Sequence, residues 1–174
     1  IIQIRNVTAT GFQIRLKETN TLTAVGGVHA AENIGYMVTE MGSFNLNGVR
    51  VTAGRVSAKQ LLANKFQPVK FPIATVKVPV IIASVTTSRE VNVPVNVRLA
   101  AITQTGFSYM LQEEAISDQV HGAEDISYIA WEPGLRKIRG YNVEAGRKVA
   151  AVGDNPYTFN FSQTKSGIPV MLAD

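Results

Sequence analysis

The sequence predicts an all-β protein made of two tandem antiparallel β-sandwiches, and three observations carry that expectation. Apolar and polar residues alternate with period two, turn-forming residues punctuate the chain at intervals of about 8 to 12 residues, and one pattern of residues occurs twice. Short strands so spaced, in units of roughly 90 residues, are the signature of antiparallel sandwiches.

Taken in chain order, Gly11 to Lys17 place Phe12, Ile14 and Leu16 on one face and Gln13, Arg15 and Lys17 on the other, as a half-buried strand requires. Residues 34–41 are rich in β-branched and aromatic types and read as a second strand. Ser57 to Lys65 alone could make a helical turn or two. Residues 76–86 and 91–102 read as strands, with Pro79 and Pro94 at edges or starts, because proline has no N–H to give to an interior ladder. Phe107, Tyr109 and Leu111 restore the face seen at Phe12, Ile14 and Leu16, and residues 126–132 form a further strand. After Arg147, Gly153-Asp154-Asn155-Pro156 cannot support a helix, so little helix is expected anywhere.

The repeat organises these elements. Thr10-Gly11-Phe12, Glu18, His29-Ala30-Ala31-Glu32, Tyr36, Glu40, Gly42 and Ala53-Gly54-Arg55 return as Thr105-Gly106-Phe107, Glu113, His121-Gly122-Ala123-Glu124, Tyr128, Glu132, Gly134 and Ala145-Gly146-Arg147. The offset is 95 residues up to the Glu and 92 from the His onward, so one loop differs by three residues. Val69-Lys70-Phe71, Pro79-Val80 and Ala83 recur at an offset of 90 as Phe159-Asn160-Phe161, Pro169-Val170 and Ala173. One unit is therefore contiguous, residues 56–147, and the other is split into residues 1–55 plus 148–174. Either the chain closes on itself like a circular permutant, or its C-terminal segment completes a neighbouring subunit. The glycines Gly11 and Gly106 are expected at a bulge or a tight turn where a strand starts.

Composition narrows the functional classes. With 174 residues and 45% hydrophobic content the chain can bury one good core or two small ones. No apolar run approaches the ~18 residues that a membrane-spanning helix needs, and no signal peptide is read, which does not argue for the cytoplasm. The absence of cysteine removes disulfides, cysteine-based zinc sites and thiol catalysis together. Lys and Arg number 17 against 13 Asp and Glu, but the basic residues are scattered, whereas nucleic-acid binding calls for a concentrated basic face.

The order Phe71, Pro79-Val80, Val97-Arg98-Leu99, Ile102-Thr103-Gln104-Thr105-Gly106-Phe107 and Ile126-Ser127-Tyr128-Ile129-Ala130-Trp131 resembles the H-type lectin domain. That resemblance implies a six-stranded antiparallel sandwich, sugar binding, often of N-acetylgalactosamine, and assembly as trimers. It implies no individual sugar ligand. The repeated H-x-x-E loosely resembles repeat modules of bacterial surface and secreted proteins, and both resemblances imply an extracellular or cell-surface setting.

Candidate ligand-binding residues are His29, Glu32, His121, Glu124, Tyr128 and Trp131. Each His precedes its Glu by three positions, just before a strand. The pair could touch a polar ligand, or hydrogen-bond within the loop and pin the entry to the strand. Two histidines in the whole chain make a thin basis for zinc, and calcium would not call for them, so no metal or cofactor is expected. Nor does a G-x-S-x-G motif or a second nearby carboxylate support catalysis. Trp131 is the sole indole and is replaced by Thr39 in the other copy; it could stack on a sugar or cover a core edge. Tyr36 and Tyr128 suit a sheet face, and Glu40 and Glu132 suit cross-strand pairs. Two functions follow: a non-catalytic carbohydrate-binding or adhesive module with a glycan partner, or a structural subunit of an extracellular, appendage-like homo-oligomeric assembly joined by strand complementation.

Overall fold

The computed structural model describes residues 2–16, 31, 33–58, 65–90, 95–113, 120–148, 158–163, 165 and 167, and it is all-β. The strands in order are β1 (Ile2–Arg5), β2 (Gln13–Leu16), β3 (Gly42–Leu46), β4 (Val49–Ala58), β5 (Gln67–Lys70), β6 (Val80–Val85), β7 (Val95–Thr103), β8 (Gly106–Glu113), β9 (Glu124–Trp131), β10 (Gly134–Ile138) and β11 (Tyr141–Ala145). Among the described residues no helix is present, so none is long and apolar enough to cross a membrane.

Residues 42–131 form one complete sandwich. A four-stranded sheet ordered β3-β4-β9-β6 faces a three-stranded sheet ordered β5-β8-β7, with every neighbour antiparallel. The sheet runs across residue 56, because β4 pairs with β9 over its length, from Val51 opposite Trp131 to Ala58 opposite Glu124. Two hairpins, β1–β2 and β10–β11, remain separate two-stranded sheets.

The alternation read from sequence builds the core. Ile81 and Ala83 of β6 and Ile126, Tyr128 and Ala130 of β9 point inward, against Val69 and Phe71 from one side of the second sheet and Phe107, Tyr109 and Leu111 from its centre. Each large apolar side chain so buried contributes about 1.5–3 kcal/mol. Phe107 and Tyr128 meet edge to face at 5.0 Å between ring centroids, with Phe71 at 6.0 Å from Phe107.

Turns are repeated with the sequence. Asn47 and Gly48 (φ 51° and 81°) close β3–β4, and Arg139 and Gly140 (φ 48° and 90°) close β10–β11. Two consecutive residues with positive φ make the two-residue turn whose twist matches paired strands. In the other hairpin pair, the Thr8 hydroxyl donates to the Gly11 carbonyl at 3.0 Å, and the Thr103 hydroxyl donates to that of Gly106 at 3.1 Å. Asn6 and Ala101, 95 residues apart, share a positive φ.

Several expectations change. Residues 34–41 form no ladder with any described strand and are largely exposed. Ser57 and Ala58 belong to β4, which excludes a helical turn starting there, and residues 59–64 lie outside the described set. Pro79 sits immediately before β6, as expected, while Pro94 lies outside the described residues. Gly106 opens β8, and its need for hydrogen in place of a side chain is steric: a Cβ there would collide with the Val69 carbonyl. The bulge falls a strand earlier, between Ala100 and Thr103.

A Gly106→Ala substitution is expected to destabilise the sandwich by about 2–3 kcal/mol, since the colliding atom is ladder backbone that cannot rotate away. Gly11→Ala, at the equivalent position, has nothing within 4 Å and should leave folding unchanged. Urea unfolding of both variants checks the contrast; equal losses would refute it.

Candidate functional site

Glu124 is the first residue of β9, and its carboxylate is fully buried. Its Oε1 accepts the backbone N–H of Arg89 at 2.8 Å and that of Glu90 at 3.4 Å, and its Oε2 accepts the Thr87 hydroxyl. The Thr87 oxygen in turn accepts the Asp125 N–H at 2.8 Å. A buried carboxylate requires this many donors to replace lost hydration. Glu124 therefore ties the segment after β6 to the start of β9.

His121 lies beside it, its side chain fully enclosed. A carbonyl can only accept, so the 3.1 Å contact with the Gly122 oxygen makes Nδ1 the donor. Nε2 stands 3.9 Å from a Glu90 carboxylate oxygen. The other Glu90 oxygen accepts the Gly122 N–H at 2.6 Å, and a Cβ on Gly122 would stand 2.6 Å from that same oxygen, so a larger residue there would displace the Glu90 carboxylate. Glu90, Glu113 and His121 each place one ligand atom within 4.8 Å of the others. One imidazole and two carboxylates are a donor set that could hold a divalent cation, with water completing the coordination. His29 and Glu32, the matching pair of the first copy, lie outside the described residues.

The remaining predicted residues separate. Tyr128 is buried with its ring over Gly54, where a Cβ would come within 2.5 Å of the hydroxyl, and burial pushes its pKa up. Trp131 is half-buried at the end of β9, opposite Val51 and Val80. The structure thus brings His121 and Glu124 together at one end of β9 and leaves Trp131 at the other.

Glu132 corrects the expectation of a cross-strand pair. β9 ends at Trp131, and the Glu132 carboxylate folds inward to accept the Arg50 N–H at 3.0 Å and the Val76 N–H. Its repetition as Glu40 marked the position in the sequence, and period two sets it on the pleat opposite Trp131; what differs is the partner, backbone N–H groups in place of a cross-strand side chain. Burial pushes its pKa up, yet backbone donors from Arg50, Val76 and Lys77 outweigh burial and hold it below the ordinary value.

A second feature is spread over the surface. Residues that the repeat aligns differ in exposure: Tyr128 is 5% exposed and Tyr36 71%, Ala130 0% and Val38 74%, Phe71 7% and Phe161 45%. Gly54 is covered by Tyr128, whereas its counterpart Gly146 has nothing within 4 Å. Ile14, Tyr36 and Tyr141 are exposed and border a broad cleft, and among the described residues β1–β2 and β10–β11 pair only within themselves. As far as they are described, the two flanks carry the turns of the repeat, and Tyr36 packs edge to face on Phe12 at 5.1 Å between ring centroids.

Glu124→Ala is expected to cost about 3 kcal/mol, because several donors lose their acceptor in a buried setting; a denaturant midpoint unchanged at constant slope would contradict it. Glu132 has a lowered folded pKa, so its contribution is present above the ordinary glutamate value of 4.5 and fades as pH falls through the folded value. The stability difference between the parent chain and Glu132→Gln should accordingly shrink as the pH is lowered from the ordinary glutamate value through the folded one. A difference independent of pH would show that the carboxylate is not the group responsible. No protein-family model, no curated protein and no solved structure matches the chain, so its site is read from its own geometry.

Proposed function

We propose that the chain is a non-catalytic structural module that self-associates, a building block of an extracellular or cell-surface assembly. The observation that carries this reading is the contrast between equivalent residues: the motif around Tyr128 is core, and the same motif around Tyr36 is surface. Monomeric proteins rarely leave contiguous apolar faces open, and such faces mark interaction sites. Five large side chains, Tyr36, Val38, Tyr141, Phe159 and Phe161, are exposed on the two flanks. Covering them would contribute on the order of 10 kcal/mol, comparable with the ~4–15 kcal/mol that association costs in lost freedom. Ladder hydrogen bonds along the open strands would add to that balance.

The non-catalytic reading draws on how two of the carboxylates are engaged. Glu124 and Glu132 are saturated with backbone or hydroxyl donors, and they brace loops. The extracellular setting rests on the resemblance to H-type lectins and surface repeats. A carbohydrate-binding role has a narrower support, since His121, Glu124 and Tyr128 are buried and Trp131 alone among the described candidates keeps partial exposure.

Sedimentation or light scattering over a range of concentrations tests the reading. Species larger than the monomer, growing with concentration in the micromolar range, are expected. A monomer at every concentration, retained on immobilised glycans and released by Trp131→Ala, would replace self-association with the lectin reading.

A further inference from the structure

We infer that Glu90, Glu113 and His121 bind one divalent first-row transition-metal cation of the zinc type, which fastens the two sheets of the complete sandwich to each other at the entry to β9. This does not depend on the self-association proposed above. In the sequence, one histidine per repeat is a thin basis for such a site, because Glu124 is the carboxylate that the spacing sets beside it. The structure commits Glu124 to the backbone N–H groups of Arg89 and Glu90, and brings two other carboxylates to the imidazole.

The three donors come from three segments. Glu113 ends β8, in the three-stranded sheet; His121 stands just before β9 and Glu90 lies after β6, and both of those strands belong to the four-stranded sheet. Each residue places one ligand atom within 4.8 Å of the others, with His121 Nε2 and a Glu90 oxygen at 3.9 Å. Two ligands of a tetrahedral zinc, bound at about 2.0–2.2 Å, stand about 3.3–3.5 Å apart, so the cluster has to contract by about 1.5 Å at most. Glu90 is the member free to make that movement: its side chain is 41% exposed, whereas the His121 side chain is fully enclosed and Glu113 is buried.

The surrounding bonds aim these groups. Because Nδ1 donates to the Gly122 carbonyl, the neutral ring has its lone pair on Nε2, the nitrogen that faces Glu90. A donor bond on the far nitrogen is how metal-bound imidazoles are oriented. The Gly122 N–H holds one Glu90 oxygen at 2.6 Å, which turns the other toward His121. Their 3.9 Å separation is too long for a hydrogen bond and close to that of two ligands sharing an ion. Both Glu113 oxygens are shut off from solvent, and a cation offsets the cost of holding that charge in a setting of low dielectric constant. The repeat supplies a separate observation. Glu113 and His121 return as Glu18 and His29, although the loop between them is the one that differs by three residues, so its length varies while its two end groups do not. Glu18 and His29 lie outside the described residues. An imidazole nitrogen among carboxylate oxygens suits zinc and its first-row neighbours, whereas calcium and magnesium take oxygen ligands.

Titration of Zn²⁺ into the chelator-stripped full chain, read by calorimetry, thermal melting and imidazole nitrogen NMR, tests the site. In a His29→Gln chain His121 is the one remaining histidine, so the NMR signal reports this site alone. Zn²⁺ should bind that chain at one equivalent with a Kd in roughly the micromolar range or below, shift the Nε2 resonance and leave Nδ1 protonated. At Zn²⁺ about a hundred-fold above Kd, the melting temperature should rise by about 5–10 °C. Glu90→Gln retains an oxygen to accept the Gly122 N–H, so it should melt like the parent without zinc and bind Zn²⁺ roughly ten- to a hundred-fold more weakly. His121→Gln should abolish binding; should that chain fail to fold, Glu90→Gln carries the test. No Zn²⁺ uptake by the His29→Gln chain, or uptake indifferent to Glu90→Gln, would overturn the site and reduce the cluster to an internal contact between His121 and its carboxylates.

Discussion

Everything in the folded part of this chain depends on β9 being held on both edges by strands from earlier in the chain. β4 lies along one side and β6 along the other, and Ile126, Tyr128 and Ala130 between them form the floor on which the second sheet packs. A sheet with one apolar face is stable only when another layer covers it. Here the covering layer arrives with β5, β7 and β8, and the aromatic cluster of Phe71, Phe107 and Tyr128 seals the contact. Where no such edges are supplied, as at residues 33–40, the same kind of sequence forms no strand. Strand character in this protein is conferred by neighbours far more than by residue type.

The polar residues serve that arrangement. Glu124 and Glu132 stand at opposite ends of β9, and each gathers backbone N–H groups from segments earlier in the chain. They clamp the strand longitudinally while the ladders hold it laterally. His121 and Glu90 extend the first clamp across Gly122, and Asp125 adds ion pairs to Arg55 at 3.0 Å and Arg89 at 3.2 Å near the surface. The latter are exposed enough to contribute little.

Much of this was legible in the sequence, for physical reasons that particular residues display. The alternation of Phe107, Tyr109 and Leu111 specified a buried face because side chains on a strand point alternately to opposite sides. Asn47-Gly48 was a readable hairpin signal that the repeat overshadowed; its counterpart Arg139-Gly140 is not one, since arginine disfavours positive φ, and the turn is repeated there nonetheless. Residues 34–41 misled because periodicity reports a face that can be buried and says nothing of whether a partner is present. Glu132 misled because its role depends on backbone N–H groups of Arg50 and Val76, which are remote in sequence. Tyr128 and Trp131, three apart on β9, fall on opposite faces as period two requires, and the structure shows that the Tyr128 face is the core.

The shared backbone conformations at Asn6 and Ala101, and at Asn47 and Arg139, have a kinetic consequence. Hairpins whose turns form from contacts a few residues apart close rapidly and before distant partners arrive. Each flank thus presents strands whose turns are already set, and most of the entropy of ordering them has been lost within the single chain. Docking of preformed hairpins proceeds with little rearrangement of the backbone. Residues 33–40 carry no such preset turn, so any ladder they join has still to order their backbone.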